Sequence, residues 1–237
     1  ATSTATRTAT ATSTAVAGSS PTATFTGVAS ATPTATSVPA SRTPVPPSVT
    51  ATLPPSNCNI QFSDVPVGST FYQYVQCLAC KGILGGYSDG TFRSNNDVTR
   101  GQLSKIVSNA VGFDEPVSGQ TFTDVAPDSP FYAYIERIAR RGIIGGYADG
   151  AFRPNSPATR GQISKIVANA AGYNEPVSGQ TFTDVAPDSP FYTYIERMVG
   201  RDVIGGYADG TFRPNNNATR GQVAKIVSNA FFPNCQP

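Results

Sequence analysis

Apolar positions along this chain recur with a short period that marks helices and a long one that marks repeats. Phe131, Tyr134, Ile135 and Ile138 fall at i, i+3, i+4 and i+7, which puts them on one face of an α-helix. Ser129 and Pro130 stand just before them. Ser suits an N-cap, and Pro suits the first turn because its missing N–H would have no partner there anyway. Gly142 follows the last apolar position, where a left-handed residue closes a helix. A second helix is expected from Thr159. Thr159 and Gln162 have capping-box spacing, and Ile163, Ile166, Val167 and Ala170 form its buried face.

Both patterns return 60 residues earlier and 60 residues later: Phe62, Phe122 and Phe182 match, as do Tyr87, Tyr147 and Tyr207. A fixed period of this size denotes an array of like supersecondary units. Two short helices cannot enclose a core by themselves, but three pairs with their apolar faces turned inward can. The spacing predicts helices over 70–81, 99–111, 130–141, 159–171, 190–201 and 219–230. The fold class is mostly α, a three-repeat assembly with pseudo-threefold symmetry and long loops. Its repeats cover residues 57–115, 116–175 and 176–237.

Composition changes the picture before the first repeat. Residues 1–56 are nearly all Thr, Ala, Ser, Pro and Val, with Arg7 and Arg42 the only charges. So few large apolar groups cannot offset the entropy of ordering, which makes this stretch an extended tail or linker. Outside a cell, a Ser/Thr/Pro-rich tail is a substrate for O-glycosylation. Its Thr-Ala alternation has the period of a strand. If ordered, the tail would find its hydrogen-bond partners in another molecule or in another part of the fold, so self-association through it is one expectation. The chain opens without Met or a charged-then-apolar leader, as a processed or partial chain would.

Charge and residue inventory exclude several functions. A net charge of +2 is too small to argue for nucleic acid or an anionic membrane as partner, and no window is long and apolar enough for membrane insertion. The chain has no His, which removes the commonest general base and metal ligand. The Asp-Gly turns at 89–90, 149–150 and 209–210 each offer one carboxylate, too few for a calcium loop. No unique cluster of reactive groups breaks the repeat symmetry, so neither enzyme activity nor a cofactor or metal is expected. Asn217 and Thr219 match a glycosylation sequon, which is absent from the other repeats and reads as chance. Cys58, Cys77, Cys80 and Cys235 form an even set at the edges of the array and read as two disulfides. Each terminal cysteine is expected to bridge to the first repeat's helix or to the other terminus.

Phe-x-Asp-Val, Gly-Ile-Ile-x-Gly-Tyr-x-Asp-Gly-x-Phe-x-Pro and Thr-Arg-Gly-Gln, repeated in that order, resemble the S-layer homology domain. The resemblance covers all three repeats. It implies an extracellular location at a bacterial cell surface or S-layer, with non-covalent anchoring through grooves that bind secondary cell-wall polysaccharide, often pyruvylated. The runner-up is a structural protomer of an S-layer or filament. Carried over by position, the groove arginines are Arg100, Arg160 and Arg220. Gln102, Gln162 and Gln222 stand where the family most often has Glu, and the family's Trp near the first helix is missing. Phe71, Phe131 and Phe191 lie there instead, able to stack on a sugar ring.

The arginines occupy a helix first turn, where a cation is electrostatically unfavourable. Three such placements suggest an anion partner, a carboxylate held by a planar guanidinium beside free helix N–H groups. An internal salt bridge to Asp64, Asp124 or Asp184 of an adjacent repeat is the structural alternative, and a buried Asp could also hold the arginine in place. Tyr87, Tyr147 and Tyr207 are half-buried loop anchors or groove contacts. The candidate ligand-binding set is therefore these arginines, aspartates, tyrosines and phenylalanines, and the candidate partner is a cell-wall glycan, acidic if the arginines meet it.

Overall fold

A computed structural model of the chain describes residues 58–235; the expected tail over 1–56 lies outside the described residues. Six α-helices follow in order: α1 (Tyr72–Cys80), α2 (Arg100–Val111), α3 (Tyr132–Arg140), α4 (Arg160–Ala170), α5 (Tyr192–Val199) and α6 (Arg220–Phe231). A short 3₁₀ turn, Pro233–Cys235, ends the described chain. The first helix of each repeat begins two residues later than its apolar spacing predicts. Ser129 does not cap the α-helix; its hydroxyl accepts from Phe131 N at 3.3 Å, and its carbonyl accepts from Tyr132 N at 3.0 Å. A tight turn therefore precedes the first α-type bond, Ile135 N to Phe131 O at 2.9 Å. The second helices start as expected, with all three capping boxes closed.

The helices that pack together belong to different repeats. α2, α4 and α6 pack against one another at the centre, while α3 lies on α2, α5 on α4 and α1 on α6. The three expected helix pairs are present, each drawn from two neighbouring repeats. The reason is local: Gly101, Gly161 and Gly221 expose helix backbone, and the next repeat's ring lies against it. A Cβ at Gly101 would come within 2.7 Å of the Phe131 ring, and one at Gly161 within 2.5 Å of the Phe191 ring. Phe71 seats on Gly221 in the same way and closes the circle.

A ring of backbone hydrogen bonds marks the pseudo-threefold axis. Val98 N donates to Ala218 O at 3.0 Å, Ala218 N to Ala158 O at 3.1 Å, and Ala158 N to Val98 O at 2.9 Å. These residues are fully buried, so an unpaired amide there would cost on the order of 1–3 kcal/mol. Around them Leu103, Ile163 and Val223 are also fully buried, as are Ile135 and Ile195. On α3 the buried face is turned from the one expected: Tyr132 and Glu136 are buried, and Phe131 and Tyr134 only half-buried. Glu136 tolerates its position because Thr121 donates both its N–H, at 2.8 Å, and its hydroxyl, at 2.7 Å, to the carboxylate.

Cys58 pairs with Cys80 and Cys77 with Cys235. Both bridges reach α1, as expected for a chain whose ends meet there. The second joins the end of the third repeat to the first across 158 residues of sequence, and so clasps the ring where the chain itself does not close it.

Candidate functional site

Each repeat's Gly-Gly-Tyr loop is held in shape by its own aspartate. Asp124 Oδ1 accepts from Phe152 N and Oδ2 from Arg153 N, both at 2.7 Å. Asp64 and Asp184 do the same at Phe92 and Arg93, and at Phe212 and Arg213. Arg93, Arg153 and Arg213 have φ of 62°, 61° and 59°, a left-handed conformation costly for a residue with a Cβ. The paired carboxylate bonds offset that strain. Each of these arginines also lies over its loop tyrosine, Arg153 at 4.0 Å from the Tyr147 ring, and pairs with the Asp of the turn, Asp149 at 2.8 Å. The turn glycines, Gly150 among them at φ 79°, have the positive φ expected of an Asp-Gly turn.

So shaped, the loop turns two carbonyls toward the preceding repeat. Arg100 Nε donates to Phe152 O and Nη2 to Gly145 O, both at 2.8 Å. Arg160 reaches Phe212 O and Gly205 O, and Arg220 closes the circle on Phe92 O and Gly85 O. All three arginines are at least nine-tenths buried. The guanidinium of Arg100 lies 4.4 Å from the Phe152 ring and 5.1 Å from that of Tyr147. Burial lowers the pKa of each below its ordinary value, with Tyr147 and Asp124 pulling the other way at Arg100; a free guanidinium starts so high that the charge stays.

Two expectations are corrected here. The arginines form no ion pair with Asp64, Asp124 or Asp184 among the described residues, because those carboxylates are committed to loop amides. Nor are the helix N–H groups beside them free for an anion. Arg100 N donates to Ser156 O at 2.9 Å, Gly101 N to Pro154 O at 2.8 Å, and Gln102 N to Thr99 Oγ1 at 3.3 Å. The neighbouring repeat's carbonyls thus meet the positive helix end, and they also make a cation in that first turn tolerable.

What remains open are grooves beside Arg220 and Arg100. One, of about 390 Å3, is lined by Tyr87, Gln102, Lys105 and Ile106 of the first repeat, Phe131 of the second and Arg220 of the third. Another, of about 450 Å3, is lined by Tyr147, Gln162, Lys165, Ile166, Phe191 and Arg100. Each of these two grooves therefore draws on all three repeats. Of the residues picked from sequence, Arg220, Tyr87 and Phe131 converge in the first groove and Arg100, Tyr147 and Phe191 in the second, while the aspartates stand behind the loop. Sequence reasoning missed Lys105, Lys165 and Lys225. Their signal was an exposed cation five residues after each Arg, present in all three copies. Lys105 reaches over Tyr134 at 5.6 Å, which holds its amine at the groove's edge. Gln102 spends Oε1 on Thr99 N at 3.1 Å and keeps its amide N–H groups as donors. Each of these two grooves thus combines two cations, spare guanidinium and amide donors and two aromatic rings, with no carboxylate among its lining residues.

A family profile, described as the S-layer homology domain, matches residues 61–104, 121–163 and 181–224, together more than half of the chain. The chain belongs to the S-layer homology domain family. An endoglucanase of Bacillus sp. (strain KSM-635) is 28% identical over 173 residues, 70% of this chain and 18% of the endoglucanase. A cellulosome-anchoring protein of Acetivibrio thermocellus is 29% identical over 154 residues, 61% of this chain and 34% of that protein. A surface-layer 125 kDa protein of Lysinibacillus sphaericus is 30% identical over 158 residues, 65% of this chain and 13% of that one. The chain spans only a minor part of the length of these relatives. Their shared segment is the S-layer homology triplet, and Arg100, Arg160 and Arg220 are the residues through which this triplet closes on itself.

Proposed function

We propose that this S-layer homology triplet is a non-covalent anchor that holds the polypeptide on a bacterial cell wall by binding an acidic secondary polysaccharide in its inter-repeat grooves. The observation that carries the reading is the groove's composition: a buried arginine, a lysine and a glutamine amide, all donors, facing two aromatic rings. Such a wall suits a sugar ring stacked on Phe131 or Phe191 with a carboxylate turned toward Arg220 or Arg100, since charge-assisted bonds outweigh neutral ones in a partly dry site. The reading is of a binding module at the cell surface, without catalysis of its own. The names of the relatives support it, because an anchoring protein and a surface-layer protein are among those similar to this chain. No helix among the described residues is long and apolar enough to cross a membrane.

The test is a pull-down of the full chain on purified sacculi before and after removal of the non-peptidoglycan glycan. Binding that vanishes with the glycan supports the anchor; binding that persists on bare peptidoglycan overturns it. The likeness to a surface-layer protein also supports a second reading, a protomer that assembles through its Thr-rich tail. Concentration-dependent polymers in sedimentation of the full chain, lost on deletion of residues 1–56, would favour it.

A further inference from the structure

The three grooves are equivalent by repeat, but one position breaks the symmetry. Gly82 and Gly142 line the first two grooves at φ of 70° and 67°. At the same place in the third repeat stands Asp202, with φ 55°. Its backbone does the same work as theirs: Asp202 N donates to Val199 O at 2.9 Å, as Gly142 N does to Ala139 O. An aspartate thus sits in a left-handed conformation that glycine fills without strain in the other two repeats. A Cβ at Gly82 or Gly142 would meet nothing within 4 Å, so a side chain has room at this position beside the groove. It is exposed, and its carboxylate has no hydrogen-bond or ion-pair partner among the described residues.

The third repeat places the equivalent groove residues as the first two do. Arg160 binds Gly205 O at 2.8 Å, Lys225 reaches over Tyr74 at 5.7 Å, and Phe71 lies on Gly221. The fixed charges differ. Lys105 with Arg220, and Lys165 with Arg100, face an anion with two positive charges, whereas Lys225 and Arg160 share theirs with the carboxylate of Asp202. We propose that Asp202 makes the third groove a poor anion site, so that the triplet carries two strong anion-binding grooves and one weak one. This rests on the anion-binding reading of the grooves. A like charge beside a bound anion, in a solvent-facing site of intermediate dielectric, weakens binding on the order of tenfold.

The experiment titrates the full chain with inorganic sulfate at low ionic strength and follows the backbone amide NMR signals of Gly85, Gly145 and Gly205, one per groove. Gly85 and Gly145 should titrate with similar midpoints and Gly205 at about tenfold higher sulfate, the fold-change set by one opposing charge. Asp202→Gly and Asp202→Asn should both bring Gly205 to within about twofold of the other two, Asn tolerating the left-handed backbone while removing the charge. Equal midpoints in the unaltered chain overturn the proposal, as do three unresponsive signals, or a Gly205 that stays weak in the Asn variant. Sacculus binding separates this from the anchor itself. A chain with the expected sulfate pattern that ignores sacculi keeps unequal grooves and loses the cell-wall ligand.

Discussion

Arg160→Ala tests whether these arginines serve the ligand alone or also hold the ring together. The guanidinium makes two charge-assisted bonds across the repeat boundary, to Phe212 O and Gly205 O, both at 2.8 Å. Bonds to a charged group contribute about 1.5–3 kcal/mol each. Two effects reduce their sum: the alanine variant no longer buries a cation, and water entering from the groove can reach Gly205 O. A net loss of about 2–4 kcal/mol remains. For a chain of this size that corresponds to a fall in Tm of roughly 5–15 °C. Equilibrium denaturation by urea, followed by circular dichroism, measures it. Arg160→Lys should recover less than half, since an ammonium cannot span both carbonyls in the plane of a fork. A loss below about 0.5 kcal/mol would refute the account and leave the arginines as ligand residues only. The sequence alone suggests the opposite, that helix entry survives on Thr159 and Gln162. Because the grooves share three repeats, affinity must be compared at temperatures where the variant is folded.

Two further predictions concern the clasp and pH. Reduction of Cys77–Cys235, which closes 158 residues, should cost about 5 kcal/mol on the chain-entropy account, against about 3 kcal/mol for Cys58–Cys80; Cys235→Ser melting no lower than Cys58→Ser would contradict this order. Ion pairing holds carboxylates below their ordinary values: hydrogen bonding from Arg201 brings Glu175 to about 2, and Thr211 with Arg213 brings Asp209 to about 2. A depressed carboxylate adds stability that is complete above its unfolded pKa near 4 and lost as pH falls toward 2. With no His in the chain, Tm should stay level from about pH 5.5 to 8 and drop below about pH 4; a Tm step near pH 6.5 would contradict the assignment.

Much of this protein is local chemistry, and local chemistry is legible in a chain. The 60-residue period, the capping boxes at Thr99, Thr159 and Thr219, and the glycines at positive φ each depend on neighbours a few residues away. The cysteine pairing to the first helix follows from a ring that brings both ends of the chain to one place. The groove arginines, tyrosines and phenylalanines were identifiable because a repeat shows the same side chain three times, once per groove.

Tertiary structure decided which repeat each residue serves. Arg100, Phe131 and Tyr147 differ little from their counterparts in sequence terms. Yet Arg100 completes the groove of the second repeat, and Phe131 that of the first. That exchange follows from bare backbone at Gly101, which accepts a ring only from the next repeat, and no local period encodes it. The aspartates went to loop amides instead of arginines because a tight turn leaves two adjacent N–H groups within reach of one carboxylate. Glu136 is buried, against its polarity, because Thr121 of a distant segment satisfies both oxygens. Asp202 reads as an ordinary surface residue until its backbone angle and its place at a groove are known. Sequence determined the units and their chemistry; the closure of the ring, made by contacts between residues as far apart as Arg220 and Gly85, 135 positions, and Cys77 and Cys235, 158 positions, decided where that chemistry meets.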